Sequence, residues 1–185
     1  MVPGMTLRLL FAVFLVAVAV TGQALESPLS SGVTFPDLMG KSLAGTDVTV
    51  GARDGQAKVL VMTFTRAAAE PAQAWLDACR ADETARRKEA PVACYDVRMA
   101  QGVPRPIRGF VEGRMRKGVR AEEQARVVLV YKDKEAWRDR MMVMSDIEDE
   151  PFLILVDRQG RVQSLLHGAF NAAALKTEQA KLGAN

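Results

Sequence analysis

Reactive side chains are scarce in this 185-residue chain, which has two cysteines, one histidine, two tryptophans and two tyrosines. His167 stands alone, so a histidine-based metal centre and a histidine-dependent triad both lack the residues they need. At the end of an expected strand it reads as a surface residue. Cys79 and Cys94 do not have the spacing of a redox couple. No glycine-rich phosphate loop is present. Neither charge sign dominates: 25 Lys and Arg oppose 22 Asp and Glu, for a formal net charge of +3. That excess is too small to argue for nucleic-acid or membrane binding by the chain as a whole. No cofactor, metal or nucleic-acid partner is expected.

What is present begins with a processing signal. Arg8 precedes an unbroken apolar run over residues 9–20, and Gly22-Gln23-Ala24 supplies small residues where a signal peptidase reads. Residues 1–24 are therefore expected to be a signal peptide cleaved before Leu25. The run is short for a membrane span, which needs roughly 20 residues; an uncleaved N-terminal anchor is the alternative. The mature chain is expected in a periplasm or secreted. It holds about 160 residues, enough for one domain with a sizeable core. Both cysteines lie in the exported part, where an even count favours a disulfide. Two separate buried thiols remain the other reading.

Residues 25–34 are polar and Ser/Gly-containing, a loosely held leader ahead of a domain at 35–185. Leu43 and residues 48–50 suggest a short hairpin with turns at Gly40 and Gly45. Residues 58–65 are apolar on both faces, as in a covered central strand. Ala72, Trp75, Leu76 and Cys79 then repeat at helical spacing from about residue 67 to 88. Strands are expected at 91–99 and 125–131. The helix between them starts near Pro106 and buries Ile107, Phe110, Val111 and Met115. A helix at 134–142 precedes Pro151, the strand 152–156, the turn Asp157-Arg-Gln-Gly160 and a second strand to His167. Asn171 caps a final helix ending near Leu182. Alternating strands and helices indicate an α/β domain with a central mixed sheet flanked by helices.

That order, with a proline directly before the last hairpin, resembles the thioredoxin-like fold in its exported redoxin variants. In that fold the strand-to-helix junction carries Cys-x-Pro-Cys. Here Ala69-Glu70-Pro71-Ala72 stands there, with alanine at both thiol positions and the proline retained. The resemblance also implies a cis bond at Glu150-Pro151, beside the degenerate redox site. A narrower resemblance covers most of the mature chain. Phe35-Pro-Asp-Leu-Met-Gly-Lys-Ser-Leu43, Gln73-Ala-Trp75, Gly113-Arg-Met-Arg-Lys-Gly-Val119, Val127-Val-Leu-Val-Tyr131 and Leu155-Val-Asp-Arg-Gln-Gly-Arg-Val162 resemble mitochondrial assembly factors for the membrane sector of ATP synthase. Those factors are degenerate thioredoxin-like proteins without the dithiol. The chain departs from them in having Gln163-Ser164 where they carry a tryptophan, and an export signal in place of a mitochondrial presequence.

Two charged segments stand out, the acidic one beside this expected site. Asp146, Glu148, Asp149 and Glu150 precede Pro151 and form a solvated loop, a cation site or an electrostatic partner contact. The run lacks the 12-residue calcium-loop spacing. Arg66, before the first helix, is placed to pair with one of these acids. Arg105, Arg108, Arg114, Arg116 and Lys117 make a cationic stripe for anionic lipid or an acidic partner. The resulting expectation is an exported, non-catalytic binding or assembly module, chaperone-like, for a protein partner such as a membrane protein complex. A redoxin-type oxidoreductase using Cys79 or Cys94, and a membrane-surface protein acting through the basic helix, are the alternatives.

Overall fold

The structure, a computed structural model, describes residues 28–51, 54–86 and 92–183. The signal peptide expected at 1–24, the first leader residues, and the end of the first helix expected at 87–88 lie outside the described residues.

Strand β3 (Ala57–Thr63) is buried along its whole length. Its side chains alternate between two cores, as a pleated strand requires. Val59 and Val61 face Trp75, Leu76, Leu155 and Leu175, whereas Leu60 and Met62 face Phe35, Trp137 and Ile154. A strand covered on both sides has no solvent face, which is why residues 59–62 are continuously apolar; Lys58, buried near its start, reaches Asp54. Parallel to it runs β4 (Val92–Met99), and parallel to β4 runs β5 (Val127–Val130). Helix α1 (Ala69–Arg86) makes the crossover from β3 to β4. Helix α2 (Arg108–Lys117), flanked by short 3-10 turns, makes the crossover to β5.

On the other side of β3 lies β6 (Phe152–Val156), antiparallel, followed by β7 (Val162–His167). Helix α3 (Lys134–Met141) precedes that hairpin, and α4 (Ala172–Gly183) follows it. The N-terminal hairpin β1 (Leu38–Ser42) and β2 (Asp47–Val50) pairs onto β5, giving the order β2-β1-β5-β4-β3-β6-β7. This is the mixed, helix-flanked sheet expected from the sequence.

Local chemistry sets the turns. Asp157 accepts hydrogen bonds from the Gln159 and Arg161 amides at 2.9 and 2.8 Å. Its second oxygen accepts from the Gln163 side chain at 2.6 Å, so the departure at Gln163 has a structural use. Asn171 caps α4 by accepting from the Ala174 amide at 3.0 Å. Gly40, expected at a turn, instead lies within β1 opposite Val48. A Cβ there would fall 2.5 Å from Val128 Cγ1, so only glycine permits this close approach of β1 to β5. Residues 28–34, assigned to the leader by composition, are held to the domain. Leu29 is buried and its amide donates to the Arg140 carbonyl, while the Gly32 amide donates to the Val162 carbonyl and the Val162 amide to the Val33 carbonyl.

Candidate binding groove

Helix α1 starts on the carboxyl end of β3, where residues 64–68 turn the chain. Thr65 organises this junction: its hydroxyl accepts from the Ala68 amide at 3.2 Å and donates to Asp149 at 2.6 Å. Pro71 sits in the first helical turn, where an N–H would have no intrahelical acceptor, and is exposed. Ala72 is buried against the core and Ala69 is half-buried at the groove edge. Neither position carries a nucleophile or a titrating group.

The antiparallel register of Met62 with Phe152 sets Pro151 alongside the end of β3, close to this junction. The Glu150–Pro151 bond is trans, and no described peptide bond is cis. The expected cis proline is therefore corrected. A trans bond is the lower-energy state by roughly 0.5–1 kcal/mol, and the turn before it closes through the Glu150 amide on the Ile147 carbonyl.

The acidic segment is largely engaged by its own chain. Glu148 takes Lys134 at 3.0 Å and Arg138 at 3.5 Å, Asp149 takes Thr65, and Glu150 lies 2.6 Å from His167 Nδ1. Asp146 is exposed. Arg66 makes no ion pair with these acids among the described residues, contrary to expectation. Thr65, one residue earlier, holds the acidic loop, and Arg66 turns outward to the groove.

The largest correction concerns α2. Its one buried side chain is Glu112, not the apolar set expected. Glu112 accepts from the Tyr131 hydroxyl at 2.8 Å and from Lys41 Nζ at 3.4 Å. That fixes the helix rotation and leaves Phe110 67 % exposed, with Val111 and Met115 half-buried. Ile107 falls in the 3-10 turn before the helix and is exposed too. The cationic stripe is correspondingly divided. Arg108 donates to the Val103 carbonyl at 3.1 Å and stacks 4.2 Å over the Tyr131 ring. Arg116 donates to the Leu43 carbonyl at 2.8 Å. Arg105, Arg114 and Lys117 stay at the surface, with Arg114 6.0 Å from the Phe110 ring. Burial and the Glu112 carboxylate push the Tyr131 hydroxyl pKa upward, against the pull of Arg108.

Between the junction and α2 lies an open groove of about 660 Å³. Ala69, Met99, Phe110 and Tyr131 are among its lining residues, and its charged side chains, Arg66, Arg98, Arg114 and Lys134, are all cationic. Arg98 is bound to Asp96 and Lys134 to Glu148, which leaves Arg66 and Arg114 to face a ligand. The groove lies at the carboxyl ends of β3, β4 and β5, where ligands of open α/β sheets bind. Of the residues singled out in the sequence, the structure therefore gathers Ala69, Arg66 and Arg114 here. The acidic loop and Pro151 are not among those lining it. Thr65, Phe110, Tyr131 and Glu112 were missed as site residues, because their roles come from tertiary partners.

Both cysteines are elsewhere. Cys79 on α1 and Cys94 on β4 form a disulfide with Cα atoms 6.0 Å apart, and the two residues are 1 % and 3 % exposed. No cysteine among the described residues is free.

No protein-family model matches this sequence, and neither does any curated protein. Solved structures do match the fold. A protein assigned as thiol:disulfide interchange protein DsbE from Chlorobium tepidum aligns with a TM-score of 0.60 at 17% identity, over 83% of this chain and 98% of that one. The pneumococcal exposed lipoprotein thioredoxin from Streptococcus pneumoniae aligns at 0.56 and 14%, over 78% and 99%. BsSco, of the Sco family of cytochrome c oxidase assembly proteins, aligns at 0.56 and 12%, over 85% and 95%.

Proposed function

We propose that this thioredoxin-like chain is an exported, non-catalytic binding module of the assembly or chaperone kind, recognising a protein partner through the groove between the β3–α1 junction and α2. The observation that carries this reading is the junction itself. Ala69 lines the groove where a thiol would act, and the chain's two cysteine sulfurs are sealed in a buried disulfide. Thiol exchange needs an accessible thiolate beside a helix terminus or a cation, and the junction offers none. An apolar floor with exposed Phe110, Arg66 and Arg114 suits a partner segment bearing an acidic and a large apolar side chain.

The role of BsSco's family in oxidase assembly supports an assembly role on this scaffold. The resemblance to ATP-synthase assembly factors supports a membrane protein complex as the client. Export is supported by the N-terminal apolar run and by a relative named as an exposed lipoprotein.

The competing reading is a thiol oxidoreductase working through Cys79–Cys94, supported by the DsbE relative. Burial of both cysteines opposes it, because a partner thiolate must reach a sulfur in line. The lipid-surface reading is weakened by the loss of Arg108 and Arg116 to intrachain bonds.

A photo-crosslinking side chain placed at Phe110, and as control at exposed Lys176 on α4, tests the reading in the native envelope. A discrete adduct from position 110 is expected, lost when Arg66→Glu and Arg114→Glu are combined. Equal adducts from both positions, or an adduct indifferent to those charges, would overturn it.

A further inference from the structure

A second groove, of about 610 Å³, lies at the end of α3 and the start of the last hairpin, away from the junction groove. Met142, Met144 and His167 line it together, with Ile147, Phe152 and Leu165 as apolar walls. Met142 and Met144 are each 62 % exposed, an unusual use of two large apolar side chains two positions apart. Met142 also adopts the left-handed conformation that ends α3, at φ 52°, where glycine or asparagine is usual. A methionine kept there, pointing into solvent, contributes nothing to the core.

His167 is held in place from two sides. Its Nδ1 lies 2.6 Å from the Glu150 carboxylate, and its ring rests against Phe152 with centroids 5.6 Å apart. A carboxylate that accepts a hydrogen bond from Nδ1–H fixes the tautomer and leaves the Nε2 lone pair free for a ligand, the arrangement found behind metal-bound histidines. The other charged residues at the groove are Asp139 and Arg138, and Arg138 is occupied by Glu135 and Glu148.

We propose that Met142, Met144 and His167 bind a soft monovalent metal ion, Cu(I). Two neutral thioethers and one imidazole select Cu(I), because hard cations need oxygen ligands and zinc needs thiolate, imidazole or carboxylate donors. The chain's thiols do not compete, being closed in the disulfide. The site is independent of the junction groove, and the binding-module reading stands or falls without it.

The test is titration of the full, oxidised chain with Ag(I), a redox-inert stand-in that needs no reductant. A parallel competition uses Cu(I) held by a chromophoric chelator. One ion per chain is expected. Replacing both thioethers by isosteric apolar side chains, Met142→Leu with Met144→Leu, keeps the wall hydrophobic and is expected to weaken binding at least tenfold. His167→Ala is expected to do the same, and Glu150→Gln to cost about tenfold through the imidazole. Met39→Leu, at an exposed methionine far along the chain, leaves affinity unchanged. No retention of either ion against the chelator overturns the proposal. So does equal affinity in the double leucine variant, since an apolar docking groove would not notice the sulfur.

Discussion

Removing one oxygen from Tyr131 tests how α2, and with it the wall of the junction groove, is held. Glu112 is 8 % exposed and is the helix's one buried side chain. One of its oxygens accepts from Tyr131 at 2.8 Å, and the other has Lys41 at 3.4 Å, on a side chain still 42 % exposed. Tyr131→Phe therefore leaves a buried carboxylate oxygen facing a ring edge, with only a long, solvent-screened ion pair remaining. A hydrogen bond to a charged group contributes about 1.5–3 kcal/mol, so a loss of about 2 kcal/mol is expected. For a domain of this size that lowers the melting temperature by roughly 4–8 °C.

Adding Glu112→Leu to Tyr131→Phe removes the stranded charge, so the double variant should be more stable than the sum of the single losses. The pH dependence has a definite sign. The folded Tyr131 pKa is raised above the unfolded value near 10, so this contribution is complete below about pH 10. It is lost as pH rises beyond that, because the unfolded state releases the proton first. Urea unfolding from pH 7 to 11 should show a steeper alkaline decline in the parent than in Tyr131→Phe. A loss below about 0.5 kcal/mol, strict additivity in the double variant and identical alkaline slopes would together refute the anchoring role.

Three further outcomes follow from the same contacts. Replacing both cysteines by alanine opens a 15-residue loop and should cost about 3 kcal/mol in urea unfolding, leaving the groove's ligand binding intact. Gly40→Ala forces a methyl against Val128 and the Leu129 carbonyl and should cost roughly 1–3 kcal/mol, whereas the open position Gly109 should tolerate alanine without such a loss. Asn171→Ala should cost about 1 kcal/mol and speed amide exchange in the first turn of α4, with Asn171→Asp retaining the cap.

The sheet was legible because its signals are local. The apolar run of β3, the spacing of Ala72, Trp75, Leu76 and Cys79, and the Asp157 turn each report on their own neighbourhood. The cysteine pair could be counted, but only the packing of α1 on β4 decided that it closes. Helix α2 was misread because periodicity assumes that apolar residues turn inward. Here the inward position is Glu112, satisfied by Tyr131 after β5 and Lys41 on β1, partners no local window contains. The same limit explains Arg66 and Thr65. Proximity along the chain named the charged residue, whereas geometry chose the hydroxyl that reaches Asp149.

The central claim is that the groove at the β3–α1 junction recognises a partner without exchanging thiols. It is tested most directly by the rate at which the oxidised protein, and its Cys79→Ser, Cys94→Ser variant, catalyse insulin reduction by dithiothreitol. The account predicts that neither accelerates the reaction over buffer, since the cysteines are buried and the junction carries alanine. Acceleration by the parent that the serine variant abolishes would contradict it and make this chain an oxidoreductase.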